Sequence, residues 1–251
     1  MHHRIERQIL ILAASLAVVR AADINGTIII EHKLTKRSVT AAAGSYQRGG
    51  AVKLGSGGIE DPLSYERAHV AIYLDGELSP ASSTPASSTP HQSTATIEQQ
   101  NRSFFPDMVL IPAGSTVSFP NLDVIFHNVF SLSAPKTFDL GNYSKGQTRT
   151  VAFPKPGIVF VNCRLHSNMS AVIVISPNSV ATMSDRDGGF VLRGVPPGKH
   201  TVVAWHKAAG FFRQSVQVGP GGAATVQFFI PLQADGRPRS VVTQSVEGKH
   251  I

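Results

Sequence analysis

Apolar residues in this chain fall mostly in short runs where hydrophobic and polar positions alternate, the period of a strand with one buried face. Residues 24–31 alternate weakly and are rich in β-branched side chains, and residues 67–74 (R-A-H-V-A-I-Y-L) alternate more clearly, so both predict strands. From residue 94 the runs crowd together, at 95–99, 108–111, 116–119, 124–131, 148–153, 157–163 and 171–175. Pro112-Ala-Gly114, Pro120-Asn121, Gly141-Asn142 and Pro156-Gly157 punctuate them as turns. Beyond Pro177, the hairpin-type turn Asp185-Arg-Asp-Gly-Gly189 leads into a strand at 190–192, and Val195-Pro-Pro-Gly198 leads into one at 200–206. Runs at 215–218 and 224–230 follow. No stretch carries a convincing amphipathic helix. The expected fold class is all-β, built as sandwiches.

Between these runs lie segments that cannot bury a core. Residues 35–62 are rich in Gly, Ser and charge and read as a long surface loop, and Asp75-Gly76 marks a turn. The tandem repeat Ala81-Ser-Ser-Thr-Pro85 and Ala86-Ser-Ser-Thr-Pro90 predicts a flexible linker over 79–93. Residues 233–251 read as a polar tail. At the other end, Arg4 and Arg7 precede an apolar run over 9–19, and Val19-Arg-Ala21 offers small residues for cleavage. That run is shorter than the roughly 20 residues a bilayer span needs. It reads as a signal peptide over 1–21, with an uncleaved anchor the less favoured alternative. The expectation is a periplasmic or otherwise exported protein with no membrane span after cleavage.

Composition narrows the picture. Only 16% of residues are charged, against 42% hydrophobic, and 22 Gly with 16 Pro suit a turn-rich β protein. The formal charge of +7 becomes +5 when the leader takes three positive charges and one negative with it. So small an excess usually serves solubility, with an acidic protein partner or an anionic surface as the alternative. Nucleic acid is not expected as a partner, because no dense Lys/Arg stripe interleaved with aromatics occurs.

One cysteine, Cys163, cannot make an internal disulfide, and an exported free thiol is a liability unless something occupies it. A metal would do so. Cys163 opens the run Cys163-Arg-Leu-His166-Ser-Asn-Met169, where a strand ends at the cysteine and a tight loop returns to the next strand. Thiolate, imidazole and thioether can then converge on one point. His127, on an earlier apolar segment, is the best candidate for the remaining position. Thiolate favours Cu(I), imidazole suits both oxidation states and a weak axial thioether helps set the potential, so the set is that of a mononuclear blue-copper site. Structural zinc prefers ligands that do not include a thioether. His206 follows Trp205 on a strand and reads as packing or surface; His32, His69, His91, His200 and His250 are isolated. No H-x-H pair is present to build a trinuclear copper cluster, and no G-x-S-x-G elbow to present a nucleophile. The expectation is therefore that the chain is not an enzyme.

Two segments, F-P-N-L-D-V-I-F-H-N-V-F-S at 119–131 and P-G-I-V-F-V-N-C-R-L-H-S-N-M-S-A-V-I-V-I at 156–175, resemble the type 1 copper cupredoxins, plastocyanin and amicyanin among them. The short C-x2-H-x2-M loop is closer to amicyanin. Lys136-Thr-Phe-Asp-Leu-Gly141 also looks like the cupredoxin-like subgroup labelled methylamine utilisation proteins. The resemblance covers residues 94–176 and implies a Greek-key β-sandwich that holds copper through His127, Cys163, His166 and Met169. It implies further that Asn128 hydrogen-bonds to brace the ligand loop, and that the edge of His166 is the electron port, within an apolar patch for which Phe126 and Leu165 are candidates. The function it implies is a one-electron carrier serving a redox protein such as a cytochrome or dehydrogenase. A copper storage or delivery protein, and a surface interaction sandwich with an unused metal site, are the alternatives.

The run S-D-R-D-G-G-F-V-L-R-G-V-P-P-G-K-H-T-V-V-A-W-H at 184–206 looks like the carboxypeptidase regulatory or transthyretin-like β-sandwich. That family's opening strands read I-x-G-x-I and A-x-V-x-I-Y, matched by I-N-G-T-I at Ile24 and A-H-V-A-I-Y at Ala68. The implied organisation is discontinuous, with 22–78 pairing with 177–232 and the copper domain, 94–176, inserted between them.

Overall fold

The structure is a computed structural model that describes residues 21–34, 61–76, 78 and 93–230. The leader, the repeat-bearing linker, the polar tail and most of the 35–62 loop lie outside these residues.

The described chain is nearly all strand. It begins with β1 (Ala22–Ile30), a single-turn helix α1 (Ser64–Ala68) and β2 (Val70–Leu74). There follow β3 (Thr94–Thr96), β4 (Glu98–Gln100), β5 (Ser103–Phe105), β6 (Met108–Pro112), β7 (Ser115–Pro120) and β8 (His127–Ser133). Next come β9 (Lys136–Tyr143), β10 (Thr148–Phe153), β11 (Gly157–Asn162) and β12 (Ser170–Ser176). The last five are β13 (Ala181–Met183), β14 (Gly189–Val195), β15 (Gly198–His206), β16 (Gly210–Val218) and β17 (Ala224–Ile230).

These strands form four larger sheets, ordered β14-β1-β17, β13-β2-β15-β16, β6-β12-β11-β8-β9 and β10-β7-β3, with a separate β4-β5 hairpin. β1 runs antiparallel to β14 and parallel to β17, while β2 is antiparallel to both β13 and β15. The first two strands therefore share their sheets with the last five, and β3 to β12 form sheets of their own.

Three apolar layers separate the four sheets, and strand periodicity sorts side chains among them. Along β2, Val70, Ile72 and Leu74 enter the core shared with β1, β14 and β17, while Ala71 and Tyr73 point the other way. β15 repeats this, with Val202 and Ala204 on one face and Val203 and Trp205 on the other. Along β12, Ala171, Ile173 and Ile175 fill the core that holds Cys163 and Met169, and Val172 and Val174 meet Tyr73 and Trp205. A strand buried on both faces reads as a continuous apolar run, as V-A-I-Y-L and A-V-I-V-I do.

Three of the departures from the expected elements bear on the site and its neighbours. Residues 67–68 belong to α1, a five-residue helix too short to display a helical period. The strand expected over 124–131 starts only at His127, because side chains hold the preceding loop: Asp123 N–H donates to Asn121 Oδ1 at 2.9 Å and Asn121 Nδ2 donates to the Ile125 carbonyl at 3.0 Å. Gly141-Asn142 is not a turn. It lies within β9, where the β8–β9 register shifts and Gly141 takes φ 65°.

Candidate metal centre

Cys163 immediately follows β11, and the loop from it returns to β12 within seven residues, ending at Met169. Two backbone bonds close the loop: Met169 N–H donates to the His166 carbonyl (3.1 Å) and Cys163 N–H to the Met169 carbonyl (3.2 Å). His127 opens β8, which pairs with β11. The adjacent strands bring His127, Cys163 and His166 together, with one donor atom from each lying within 4.8 Å of the others. Cys163 Sγ is 3.9 Å from His127 Nδ1 and 3.7 Å from His166 Nδ1, and the two rings meet edge to face at 4.9 Å between centroids.

A metal bonded to sulfur at about 2.3 Å and nitrogen at about 2.05 Å sets those two atoms about 3.6–3.8 Å apart, for tetrahedral to trigonal angles. The His166 separation of 3.7 Å falls within that span and the His127 separation of 3.9 Å lies just above it, and a thiolate with two imidazole nitrogens is a soft-to-borderline donor set. The residues fit a metal. Met169 is buried in the same apolar cluster as Cys163, directly at the end of the loop.

Burial, together with the neighbouring His127 and Arg102, holds His166 below its ordinary pKa, which keeps its nitrogen available as a donor. His127 is fully buried, and its Nε2 lies 2.7 Å from Asp123 Oδ2. Partial burial pulls the Asp123 carboxyl upward, but N–H donation from Arg102, His127 and Asn101 outweighs this and holds it below the usual range. Nε2 thus faces the Asp123 carboxylate, and Nδ1 faces Cys163. Asp123 was not among the residues singled out from the sequence. Its only trace there is a position four before His127, a spacing without meaning in a loop.

Asn128 directs Nδ2 to Asp139 Oδ1 at 2.7 Å, and Asp139 accepts from Arg164 Nε at 3.1 Å. Its link to the Cys163–Met169 loop therefore runs through Asp139 and Arg164. The Arg164 guanidinium also lies over the Phe130 ring, 4.4 Å from its centroid. Paired with His127 across β8 and β9, Tyr143 donates to the Phe119 carbonyl and receives Gln99 Nε2, and burial pushes its phenol up to about 12. Around the site, Val124 (83%), Phe126 (59%) and Leu165 (48%) are the large apolar side chains most open to solvent.

No protein-family model matches this chain, and no curated protein sequence does. Solved structures do. Amicyanin from Paracoccus versutus matches at 21% identity over 42% of this chain and 97% of its own, with a TM-score of 0.32. A purple cupredoxin from Nitrosopumilus maritimus matches at 22% over 33% of this chain and 99% of its own, with a TM-score of 0.30. A copper-containing nitrite reductase from Thermus scotoductus matches at 24% identity over 40% of this chain, with a TM-score of 0.32, but the match spans only 27% of the reductase. The expectation that the chain is not an enzyme does not stand. One of these structures is an enzyme, and a shared fold assigns neither catalysis nor its absence.

The remaining described histidines sit apart. His206 Nε2 donates to Glu66 Oε2 at 3.1 Å, both groups being buried, and burial holds His206 below its ordinary value despite Glu66. His69 lies against Tyr65 and Asp107, and His200 bonds the Pro196 carbonyl. Among the described residues, no helix is long and apolar enough to cross a membrane.

Proposed function

We propose that the chain is an exported type 1 copper protein that carries single electrons between redox proteins, with His127, Cys163, His166 and Met169 as ligands. The convergence of one thiol sulfur and two Nδ1 atoms at metal-spanning distances carries this reading. Copper bound there would supply a one-electron Cu(I)/Cu(II) couple. The protein's part is to hold the donors still. His127 is fixed in a strand, and Cys163 and Met169 are tied to each other through a closed loop. A site that cannot rearrange keeps the cost of changing oxidation state low.

His166 is the electron port in this reading. It is partly exposed, and Phe126 and Leu165 offer an apolar surface for a redox partner such as a cytochrome or dehydrogenase. The organisation we propose is an inserted copper domain over 94–176, with 22–78 and 177–232 forming an accessory sandwich. The pairing of β1 and β2 with β13, β14, β15 and β17 supports it.

The test is loading the full chain with copper. An intense visible thiolate-to-copper band, lost in Cys163→Ala, is expected, together with reversible reduction by a cytochrome. A colourless protein that takes up copper would point to storage or delivery instead.

A further inference from the structure

Asp123 is the least expected group at the site. Each oxygen of its carboxylate is occupied: Oδ1 accepts Asn101 N–H at 2.7 Å, and Oδ2 accepts Arg102 N–H at 2.9 Å and His127 Nε2–H at 2.7 Å. The two backbone donors are the central residues of the turn joining β4 to β5, and both take left-handed backbone angles, φ 54° and 56°. Two consecutive left-handed residues make a two-residue hairpin turn, for which Asn-Gly is the favoured pair. An arginine in the second position costs backbone energy. The strained turn presents two successive N–H groups to one carboxylate, an anion-binding arrangement built from backbone.

We infer that Asp123 is a positioning residue for the metal centre, which locks the His127 ring in the Nε2–H tautomer and places a fixed negative charge behind it. This rests on the metal-site reading above. A neutral imidazole has two tautomers, and only one leaves Nδ1 free to face Cys163. With the carboxylate at Nε2, the Nδ1–H form would set an unprotonated nitrogen against a negative charge in a buried site, so it is excluded. The held charge also favours the more positive oxidation state of whatever metal His127 binds, which lowers the reduction potential. The β4–β5 hairpin, outside the ligand segments, thereby becomes part of the site.

The experiment compares full-length wild type with Asp123→Leu and Asp123→Asn. In the reduced, metal-free protein, two-bond 1H–15N correlations report the His127 tautomer, assigned with His127→Gln. Wild type should show Nε2–H alone, and Asp123→Leu a mixture of tautomers. Zinc affinity, read by chelator competition, should fall roughly 10- to 100-fold in Asp123→Leu. Asp123→Asn keeps an acceptor without the charge. It should retain the wild-type tautomer and most of the zinc affinity, while its copper potential rises above that of wild type. It also preserves the test should the leucine variant not fold. An unchanged tautomer and zinc affinity in Asp123→Leu would overturn the positioning role, and a wild-type potential in Asp123→Asn would overturn the charge effect. Wild type that shows the Nε2–H tautomer but takes up no copper would sink the copper-protein reading alone.

Discussion

Gly26 has no side chain because Phe190 fills the space one would take: a Cβ there would stand 2.1 Å from the ring's Cζ. The ring is buried against Phe228 and cannot swing aside into solvent. Gly188, with φ 88°, is held as tightly, since a Cβ would meet the Ile28 carbonyl oxygen at 2.3 Å. The glycine of I-N-G-T-I and the phenylalanine of the Asp185 turn motif are thus two halves of one contact, though far apart along the chain. Gly26→Ala should destabilise the protein by about 1–3 kcal/mol through overpacking. A urea midpoint equal to that of wild type would show that Phe190 yields freely. At this scale the candidate donors could be picked out, because Cys, His and Met at fixed spacing carry their chemistry in their identity. Asp123 was not, since a carboxylate acquires its role only from the atoms that come to face it.

At the scale of elements, α1 does more than its five residues suggest. Tyr65 donates to Asp107 Oδ2, and His69, just past the helix, reaches Asp107 Oδ1 at 3.1 Å. On the same turn, the buried Glu66 holds His206 of β15. The helix thus joins β15 to the segment leading into β6. Burial pulls His69 down, but Asp107 and the Tyr65 carbonyl outweigh it and raise the imidazole above 6.5. Asp107 is lowered to about 2, chiefly by His69 and also by Tyr65. The contribution of His69 is fully present below its unfolded value of 6.5 and is lost as pH rises through the higher folded value. That of Asp107 is present above its unfolded value of 3.8 and is lost as pH falls toward 2. Because both side chains are partly exposed, the pair is worth less than about 1 kcal/mol. Thermal unfolding of wild type and His69→Gln should differ at about pH 5.5 and converge by about pH 8.5. A gap that stays constant across that range would rule out the charged pair.

Across the whole molecule, the two outer cores are joined by a third apolar layer between β2 and β15 on one side and β12 on the other. Val174 is fully buried in that layer beside Trp205, the chain's single tryptophan, which is 3% exposed. Trp205 therefore reports on the layer directly. Val174→Asp places an unpaired carboxylate where no water reaches, a change expected to cost more than about 3 kcal/mol. The emission of Trp205 should shift to the red as the layer opens. Unchanged emission and stability would mean that the sheets do not depend on this contact.

By itself the sequence determined the strand content, most strand positions and the thiol, imidazole and thioether carried between Cys163 and Met169. Alternation, turn residues and ligand spacing are local properties that neighbouring residues impose on one another. Only the tertiary structure decided that β9 is a strand with a bulge where a turn was expected at Gly141-Asn142, and that the Asp123 carboxylate stands behind His127. Those outcomes depend on which faces and donors meet once the chain closes: β8 must meet β9, and the Asn101-Arg102 turn must meet Asp123, and residues adjacent in sequence impose neither.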